Sequence, residues 1–440
     1  MIKKSKKILF TVLLIAAGML LMVLAAGLVL QMKTEKPEEI LRAYFSAVEE
    51  KDYGSMYQMV DPDTLINLDK EGFIHRNSRI YEGMEAHNIR IENIQEISSR
   101  GKTTVLSYDI SMDTAAGTIA FSDETGFVRT KNRYLLLWND GMILPDLTPS
   151  DKVSVVTDKA QRGRILDRNG KTLAGPGIAS SVGIVPGKLQ NKEEAVKELA
   201  LLLDMREETI LQKLSASWVK EDSFVPLATI PKVSELELMA ENPGQELLQE
   251  QQRQEQLLAV PGVMLTDQEI RTYPLGEAAS HLIGYVQPVT AEDLEEHKGE
   301  GYDAASVIGK SGAELLYEKE LKGKNGCEIR IVDQAGNTRK VAASVLREDG
   351  QNIQLTIDSG LQQSLYEKFQ EDPGCSVAVN PYTGEVLALV STPSYDNNDF
   401  ILGLSDTQWK DLNEDIKKPM YNRFRQIWCP GSVLKPVIAG

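Results

Sequence analysis

The chain has 440 residues, of which 25% are charged, and a formal net charge of −16. This length suits two to four domains, and the composition is typical neither of a disordered chain nor of a small disulfide-stapled one. The acidic balance argues against nucleic acid as a partner, because phosphate binding needs a basic face. Three widely spaced cysteines and four scattered histidines form no disulfide framework and no ligand pattern. We therefore expect no metal and no cofactor.

The N-terminus predicts where the protein lies in the cell. Lysines crowd the first seven residues and precede an uncharged run from Ile8 to Leu30. About 20 apolar residues cross a bilayer as a helix, and lysines favour its cytoplasmic side. We predict a basic cytoplasmic tail (1–7), a single-pass membrane anchor (8–30) and an extracytoplasmic remainder. A cleaved signal peptide is the alternative, since Leu24-Ala25-Ala26-Gly27 resembles a cleavage region, although its apolar core would be shorter.

After the anchor, apolar residues at helical spacing predict a helix from Pro37, a second over 54–68 that breaks at Asp61-Pro62, and a third over 73–84. From Ile89 to Trp138 the period changes to two, which indicates an antiparallel sheet. Helices followed by a curved sheet predict a small α+β cone, which we assign to residues 37–147.

A second block, residues 151–340, opens with two short strands around Asp167–Gly170, where Asn-Gly is a strong hairpin pattern. Helical spacing follows over 192–203 and over 233–258, and the second helix is rich in Glu and Gln and therefore solvated. A strand enters a turn at 268–276, and a glycine turn leads into a helix within 308–317.

The third block, residues 350–440, begins with a strand over 353–357, and Asp358 is the expected N-cap of a helix over 360–369. Two apolar strands, 375–380 and 385–390, are joined by a tight turn, and their apolar character on both faces predicts a sheet between helices. Residues 394–421 are expected to be irregular and polar.

Ser432 and Lys435 form the sequence Pro-Gly-Ser-Val-Leu-Lys. Residues three apart share a helix face, so the lysine can lie against the serine hydroxyl. If burial keeps the amine neutral, it can accept the hydroxyl proton and leave an attacking alkoxide. Val437, Ile438 and Ala439 follow in the predicted core helix, which indicates burial of Lys435. The structural alternative is a Ser432 that only caps a helix and a Lys435 on the surface.

The motifs together resemble the class B penicillin-binding proteins. Ser432 to Pro436, with Asn422-Arg423-Phe424 and 381–386 upstream, is similar to their transpeptidase domain. The motif R-G-x-I-x-D-R-N-G from Arg162, together with 271–274, 280–286 and 308–317, resembles their non-catalytic pedestal or dimerisation domain. The cone resembles the NTF2-like domain of some Gram-positive members, which include low-affinity, β-lactam-resistant types. The resemblance thus implies a multidomain α+β protein that ends in part of a serine β-lactamase-like transpeptidase domain.

The resemblance also implies an activity, peptidoglycan D,D-transpeptidation. Ser432 would be the acyl-accepting nucleophile, Lys435 its proton acceptor, and the backbone N–H of Ser432 an oxyanion donor. Stem peptides ending in D-Ala-D-Ala and β-lactams would be its ligands, the membrane its location, and other cell-wall synthesis proteins its partners. A link to antibiotic resistance is a further expectation.

The family's companion motifs, Ser-x-Asn and Lys-Thr-Gly, do not follow Lys435 in these 440 residues. Loss of one oxyanion donor alone costs about 100- to 1000-fold in turnover. We therefore expect a chain truncated after Ser-x-x-Lys, without measurable transpeptidase activity when expressed alone and with exposed apolar strands in its last block. The alternative is a non-catalytic, membrane-anchored cell-wall scaffold or a pseudogene product.

Overall fold

The computed structural model describes residues 36–131, 133–234, 238–240, 244–429 and 431–439. The predicted cytoplasmic tail (1–7) and membrane anchor (8–30) lie outside the described residues. Within the described ranges, no helix is long and apolar enough to cross a membrane.

The helices of the described residues, in chain order, are α1 (Pro37–Glu49), α2 (Tyr53–Met59), α3 (Lys70–Gly83), α4 (Lys192–Leu203), α5 (Glu207–Leu214), α6 (Gln245–Ala259), α7 (Ser280–Ile283), α8 (Ala291–Glu296), α9 (Gly312–Leu316), α10 (Glu318–Leu321), α11 (Ser359–Phe369), α12 (Asn397–Leu402), α13 (Asp406–Glu414) and α14 (Lys435–Ala439).

The strands are β1 (His87–Arg100), β2 (Thr103–Thr114), β3 (Gly117–Thr130), β4 (Arg133–Leu137), β5 (Lys152–Asp158), β6 (Ile165–Leu166), β7 (Thr172–Ile184), β8 (Val225–Pro231), β9 (Val263–Thr272), β10 (Val286–Pro288), β11 (Val307–Gly309), β12 (Gly326–Val332), β13 (Thr338–Val345), β14 (Ile353–Gln354), β15 (Gly374–Val379) and β16 (Val386–Thr392).

The chain folds into two compact units. The first combines residues up to 159 with residues 325–347. Its helices α1–α3 and its antiparallel sheet β1–β4 confirm the elements predicted for the cone. The predicted break at Asp61-Pro62 is also present, because α2 ends at Met59 and a 3₁₀ turn begins at Pro62.

Aromatic residues fill the core of the first unit. Tyr44 and Phe45 of α1 are buried and meet edge to face at 5.1 Å. The Trp138 indole N–H donates to the Tyr44 hydroxyl over 2.8 Å, which satisfies two polar atoms that would otherwise be costly to bury. Alternate residues of β2 are buried, as expected for a sheet covered by helices on one face.

A second, three-stranded sheet in the first unit joins distant parts of the sequence. Its order is β13-β12-β5, so strands near residues 330 and 340 pair with one near residue 155. Cys327, Ile329 and Ile331 of β12 belong to the same apolar core as Tyr44 and Phe45. Residues 325–347 therefore belong to the same compact unit as the cone. The domain boundaries that we assigned from sequence stay a prediction.

The second unit contains residues 160–324 and 348–440. Its main sheet has the order β14-β6-β7-β8, with β9 paired to β7. One apolar core lies between β7, β8, β9 and helices α4, α5 and α6. A second apolar cluster includes Ile165, Leu173, Tyr273 and Ile357.

Several predicted elements of the second unit are confirmed. The helix α4 has the predicted bounds. The helix predicted over 233–258 is confirmed only in its later part, since α6 begins at Gln245; it is largely solvated, as predicted, with Leu257 its buried residue. Asp358 caps α11 by accepting the Leu361 N–H over 3.0 Å. The predicted strand over 353–357 is shorter, since β14 ends at Gln354.

Two predictions for the last block are wrong. Residues 394–421 were expected to be irregular, but they contain α12 and α13, each capped at its start by an Asp396 or Ser405 side chain. The sheet β15–β16 was expected between helices, but Val377 and Val379 are 55% and 50% exposed. The expectation of exposed apolar strands in this block agrees with that exposure.

Candidate active site

Ser432 lies in a 3₁₀ turn, Gly431–Leu434, that leads directly into α14. Gly431 has a φ of 50°, a left-handed conformation that glycine adopts without the steric cost of a Cβ. Lys435 is the first residue of α14. Pro436 follows in its first turn, where its missing N–H removes no helical hydrogen bond.

The side chains of Ser432 and Lys435 are both exposed, and in the described part of the chain no hydrogen bond joins them. The expected burial of Lys435 is wrong for this geometry, because Val437 and Ile438 are 76% and 79% exposed. Their apolar character predicted a core, but burial requires packing partners that a local pattern does not reveal. The structure therefore places the two residues at helical spacing without joining them as an acid–base pair.

Arg423, nine residues before Ser432, is held much more firmly than the turn itself. Arg423 is 6% exposed, and its guanidinium donates to the carbonyl oxygens of Lys417, Lys418 and Tyr421. Its backbone N–H donates to Ser391 Oγ of β16 over 3.0 Å.

The Trp428 indole N–H donates to the Arg423 carbonyl over 2.8 Å. Residues 417–423 are thereby tied to β16, and the Trp428 side chain bonds back to them from a position four residues before Ser432. The sequence singled out Asn422-Arg423-Phe424 only by resemblance; the structure gives Arg423 a physical role.

His281 of α7 connects the pedestal block to this segment. Its ring is 8% exposed, its Nε2 donates to the Pro419 carbonyl over 2.8 Å, and its edge meets Tyr395 at 5.0 Å. Only a protonated Nε2 can donate to a carbonyl, which fixes the neutral tautomer. Burial lowers the pKa of His281 to about 4, against the effect of the Pro419 bond and together with the positive charge of Arg423.

Asp167 in the first hairpin anchors α11. The carboxylate is fully buried, and it accepts the backbone N–H groups of Asn169 and Lys171, each at 2.8 Å, and the Ser359 hydroxyl at 2.7 Å. Burial acts to raise the pKa of Asp167, but these hydrogen bonds outweigh it and hold that pKa below its ordinary value. Because Ser359 begins α11, the turn of the hairpin orients a helix of the last block.

Four charged residues form a buried ionic network beside that hairpin. Glu314 of α9 is completely buried and accepts Arg162 Nε at 2.8 Å and Arg271 Nε at 2.6 Å. Arg162 also bonds Glu318 at 2.6 Å, and Arg271 Nη1 donates to the Gly163 carbonyl at 2.8 Å. Arg162, Arg271 and Glu314 lie in motifs that the sequence indicated, but the sequence did not predict the network. The available pattern was a glutamate among apolar residues of a short helix.

Among the residues that the structure describes, no group of three or more His, Cys, Asp or Glu side chains is arranged to hold a metal. Cys375 and Cys429 are free and exposed, and Cys327 is free and buried. Ser432 supplies a hydroxyl and Lys435 an amine, and the two groups can act together only when their side chains are in contact.

Family models match most of the described chain, in the order that the motifs predict. The model of the NTF2-like N-terminal transpeptidase domain matches residues 36–151, that of the penicillin-binding protein dimerisation domain 157–355, and that of the penicillin-binding protein transpeptidase domain 374–440. The chain belongs to the class B penicillin-binding proteins. It is a multidomain α+β protein of this family, and Ser432 and Lys435 lie within the transpeptidase match.

Curated relatives agree with that assignment. Penicillin-binding protein 3 of Bacillus subtilis is 36% identical over 421 residues, which is 94% of this chain and 60% of the relative. Peptidoglycan D,D-transpeptidase MrdA of Escherichia coli is 31% identical over 298 residues, 66% of this chain and 44% of the relative. The chain thus spans about half the length of these relatives.

A solved complex between penicillin-binding protein PBP2 and MreC from Helicobacter pylori is 26% identical and covers 66% of this chain and 52% of that chain. Its TM-score is 0.45, which is too low to support a conclusion about arrangement or partners.

Proposed function

We propose that the protein is a peptidoglycan D,D-transpeptidase that works through a serine acyl-enzyme. The observation that carries this proposal is the Pro-Gly-Ser-x-x-Lys sequence within the transpeptidase match, behind the two non-catalytic domains in family order. The name of the MrdA relative supports the same reaction class.

In the proposed reaction, the Ser432 hydroxyl attacks the carbonyl carbon between the two D-alanines of a stem peptide. Lys435 accepts the hydroxyl proton, and the backbone N–H of Ser432 donates to the oxygen that becomes negatively charged. The bond to the terminal D-alanine breaks, its nitrogen takes the proton from Lys435, and the residue leaves as the free amino acid. The amine of a second stem peptide then attacks the ester, forms the cross-link and releases Ser432.

The reaction requires a change at Lys435. Only a neutral amine accepts a proton, so the proposed reaction needs a neutral Lys435 that lies against Ser432 when substrate is bound. Arg423 and His281 support this arrangement, because they fix residues 417–423 beside β16, shortly before the Ser432 turn.

The proposal includes the location and ligands of the protein. A single-pass anchor at residues 8–30 would leave the catalytic residues outside the membrane, where peptidoglycan is built. β-Lactams would acylate Ser432 in place of D-Ala-D-Ala. Other proteins of cell-wall synthesis are the proposed partners.

Labelling with a fluorescent penicillin tests the proposal, applied to the protein as its own cell produces it. We expect a labelled band that Ser432→Ala abolishes and Lys435→Ala weakens by at least about 100-fold, as expected for loss of the activating base. Cys429→Ser is the matched control, since it changes an exposed neighbour without removing either group. Titration of the label also measures whether β-lactam affinity is low, as resistance would require.

The non-catalytic scaffold is the second candidate, and the exposed, unjoined Ser432 and Lys435 side chains favour it. A native protein that shows no label at any penicillin concentration, or one whose label survives Ser432→Ala, would contradict the transpeptidase proposal. The first of these outcomes would support the scaffold.

A further inference from the structure

A cavity of about 510 Å³ lies in the second unit, between strand β8 and the segment from Asp399 to Gln408. Leu203, Met205 and Leu402 contribute apolar walls, and none of its lining residues belongs to the Ser432 turn. A cavity of this size suits a small molecule or a short stretch of peptide.

Asp399 is an unsatisfied acid on the cavity wall. Its side chain is only partly exposed, and within the described residues its carboxylate forms no hydrogen bond or ion pair. Burial raises the pKa of Asp399 to about 6, and the like charges of Asp396 and Glu277 act in the same direction. A carboxylate withdrawn from water beside other carboxylates is stabilised by a cation.

Arg253, the cation on the described wall of the cavity, does not pair with Asp399. Arg253 Nε donates to the Leu202 carbonyl at 2.9 Å, and its Nη1 lies 3.4 Å from Glu250. Its charge is therefore already balanced by Glu250, and Asp399 remains for a ligand.

The opposite wall offers a free backbone edge. Strand β8 is an edge strand of its sheet, so its outer edge pairs with no strand of the described chain. Lys213 Nζ donates to the carbonyls of Pro226 and Leu227, over 3.3 and 2.8 Å, and Gln254 Nε2 donates to the Pro231 carbonyl over 2.8 Å. The register is regular from Thr229 to Pro231, and residues two apart on a strand present their backbone groups to the same edge. The outward Pro231 carbonyl therefore places the N–H and C=O of Thr229 on the outer edge as well.

We propose that this cavity binds an extended peptide segment that carries a basic side chain. The peptide backbone pairs with Thr229 on the open edge of β8, as in other cases of strand addition. Its ammonium group bonds the Asp399 carboxylate, and its aliphatic part packs on Met205 and Leu402. This site is separate from Ser432 and does not depend on the proposed transpeptidase reaction.

Isothermal titration calorimetry on the full chain in detergent tests the site with two capped tripeptides, acetyl-Val-Lys-Val-amide and its norleucine counterpart. The two differ only by the ammonium group. We expect the lysine peptide to bind roughly tenfold more tightly, the effect of a charge-assisted hydrogen bond. Asp399→Asn should remove this difference and leave the norleucine peptide unchanged. Asp411→Asn, an exposed acid on α13, should change neither.

The backbone pairing is tested by the lysine peptide with an N-methyl group on its lysine amide, which we expect to bind several-fold more weakly, and by n-hexylamine, which we expect to bind hardly at all. Equal affinity for the lysine and norleucine peptides, or an undiminished difference in Asp399→Asn, would overturn the assignment of Asp399. Binding of n-hexylamine as tight as that of the lysine peptide would overturn the strand addition. No binding of either peptide at millimolar concentration would overturn the site.

Discussion

The two most specific motifs of the sequence lie in opposite environments. The first contributes Arg162 to the buried ionic network with Arg271, Glu314 and Glu318, and the second forms the exposed Ser432 turn. Glu314, at the centre of the network, is completely buried and paired to two arginines, whereas Ser432 and Lys435 are exposed and unjoined. Both motifs place charged or polar residues at fixed spacing. Burial and pairing distinguish a motif that holds the fold from one that is available for chemistry.

Glu314→Ala should give the largest effect on stability. Arg271 would remain buried without a carboxylate, and Arg162 would keep only Glu318. Breaking a buried ion pair in this way typically costs about 3–5 kcal/mol. Chemical unfolding followed by circular dichroism measures the loss. Glu348→Ala is the matched control, because its ion pair with Lys324 is exposed and should contribute less than about 1 kcal/mol. Equal losses in the two variants would remove the distinction between the network and an ordinary surface pair.

Acid should loosen the connection through His281. The folded protein resists protonation of this ring down to a pKa of about 4, while the unfolded chain takes up the proton near the ordinary value of 6.5. The neutral His281 ring therefore makes its full contribution to the free energy of unfolding above about pH 6.5. As the pH falls towards about 4, the free energy of unfolding decreases by as much as about 3 kcal/mol.

His281→Gln should keep a donor for the Pro419 carbonyl and abolish this part of the pH dependence. The free energy of unfolding of both proteins, measured from neutral pH to mild acid, tests this prediction. Parallel pH profiles for the two would show that the ring does not resist protonation.

Arg423→Met should release the segment that precedes Ser432. The change keeps the apolar stem but removes the donors to three carbonyl oxygens, and hydrogen bonds to a charged group typically contribute about 1.5–3 kcal/mol. Hydrogen exchange over 417–428 should accelerate, and Trp428 emission should shift as its bond to the Arg423 carbonyl weakens. Arg425→Met, an exposed neighbour, is the control. Unchanged exchange in Arg423→Met would mean that other contacts hold the segment.

Ser432→Ala and Lys435→Ala should have the smallest effect on stability, within about 0.5 kcal/mol, because neither side chain is buried or paired. Thermal unfolding of both variants measures this directly. A large destabilisation would instead place these residues with Glu314, among the groups that hold the fold.

Sequence patterns predicted the fold well wherever local chemistry determines it. The change from helical to alternating spacing predicted α1–α3 and β1–β4, and a single aspartate predicted the start of α11. The Asn-Gly hairpin was also predicted, and it is present, with Gly170 at a positive φ of 81° between β6 and β7.

The remaining features depend on residues far apart in sequence. No local pattern shows that Glu314 meets Arg162 and Arg271, or that the His281 ring meets the Pro419 carbonyl. The helices α12 and α13 were missed because they are short and carry many polar residues, although Asp396 and Ser405 are recognisable caps. For the proposed site, the sequence indicated Ser432 and Lys435 as candidates but did not predict their exposure.

Strands β12 and β13 affect the way in which the protein can be made and handled. The first unit is discontinuous, so Ile329 and Ile331 reach their core only after the chain has passed through residues 160–324 and come back. On a ribosome, the first unit can therefore be completed only after residue 347 has emerged. A recombinant fragment that stops at residue 159 would lack these two strands and leave apolar surface uncovered, which favours aggregation.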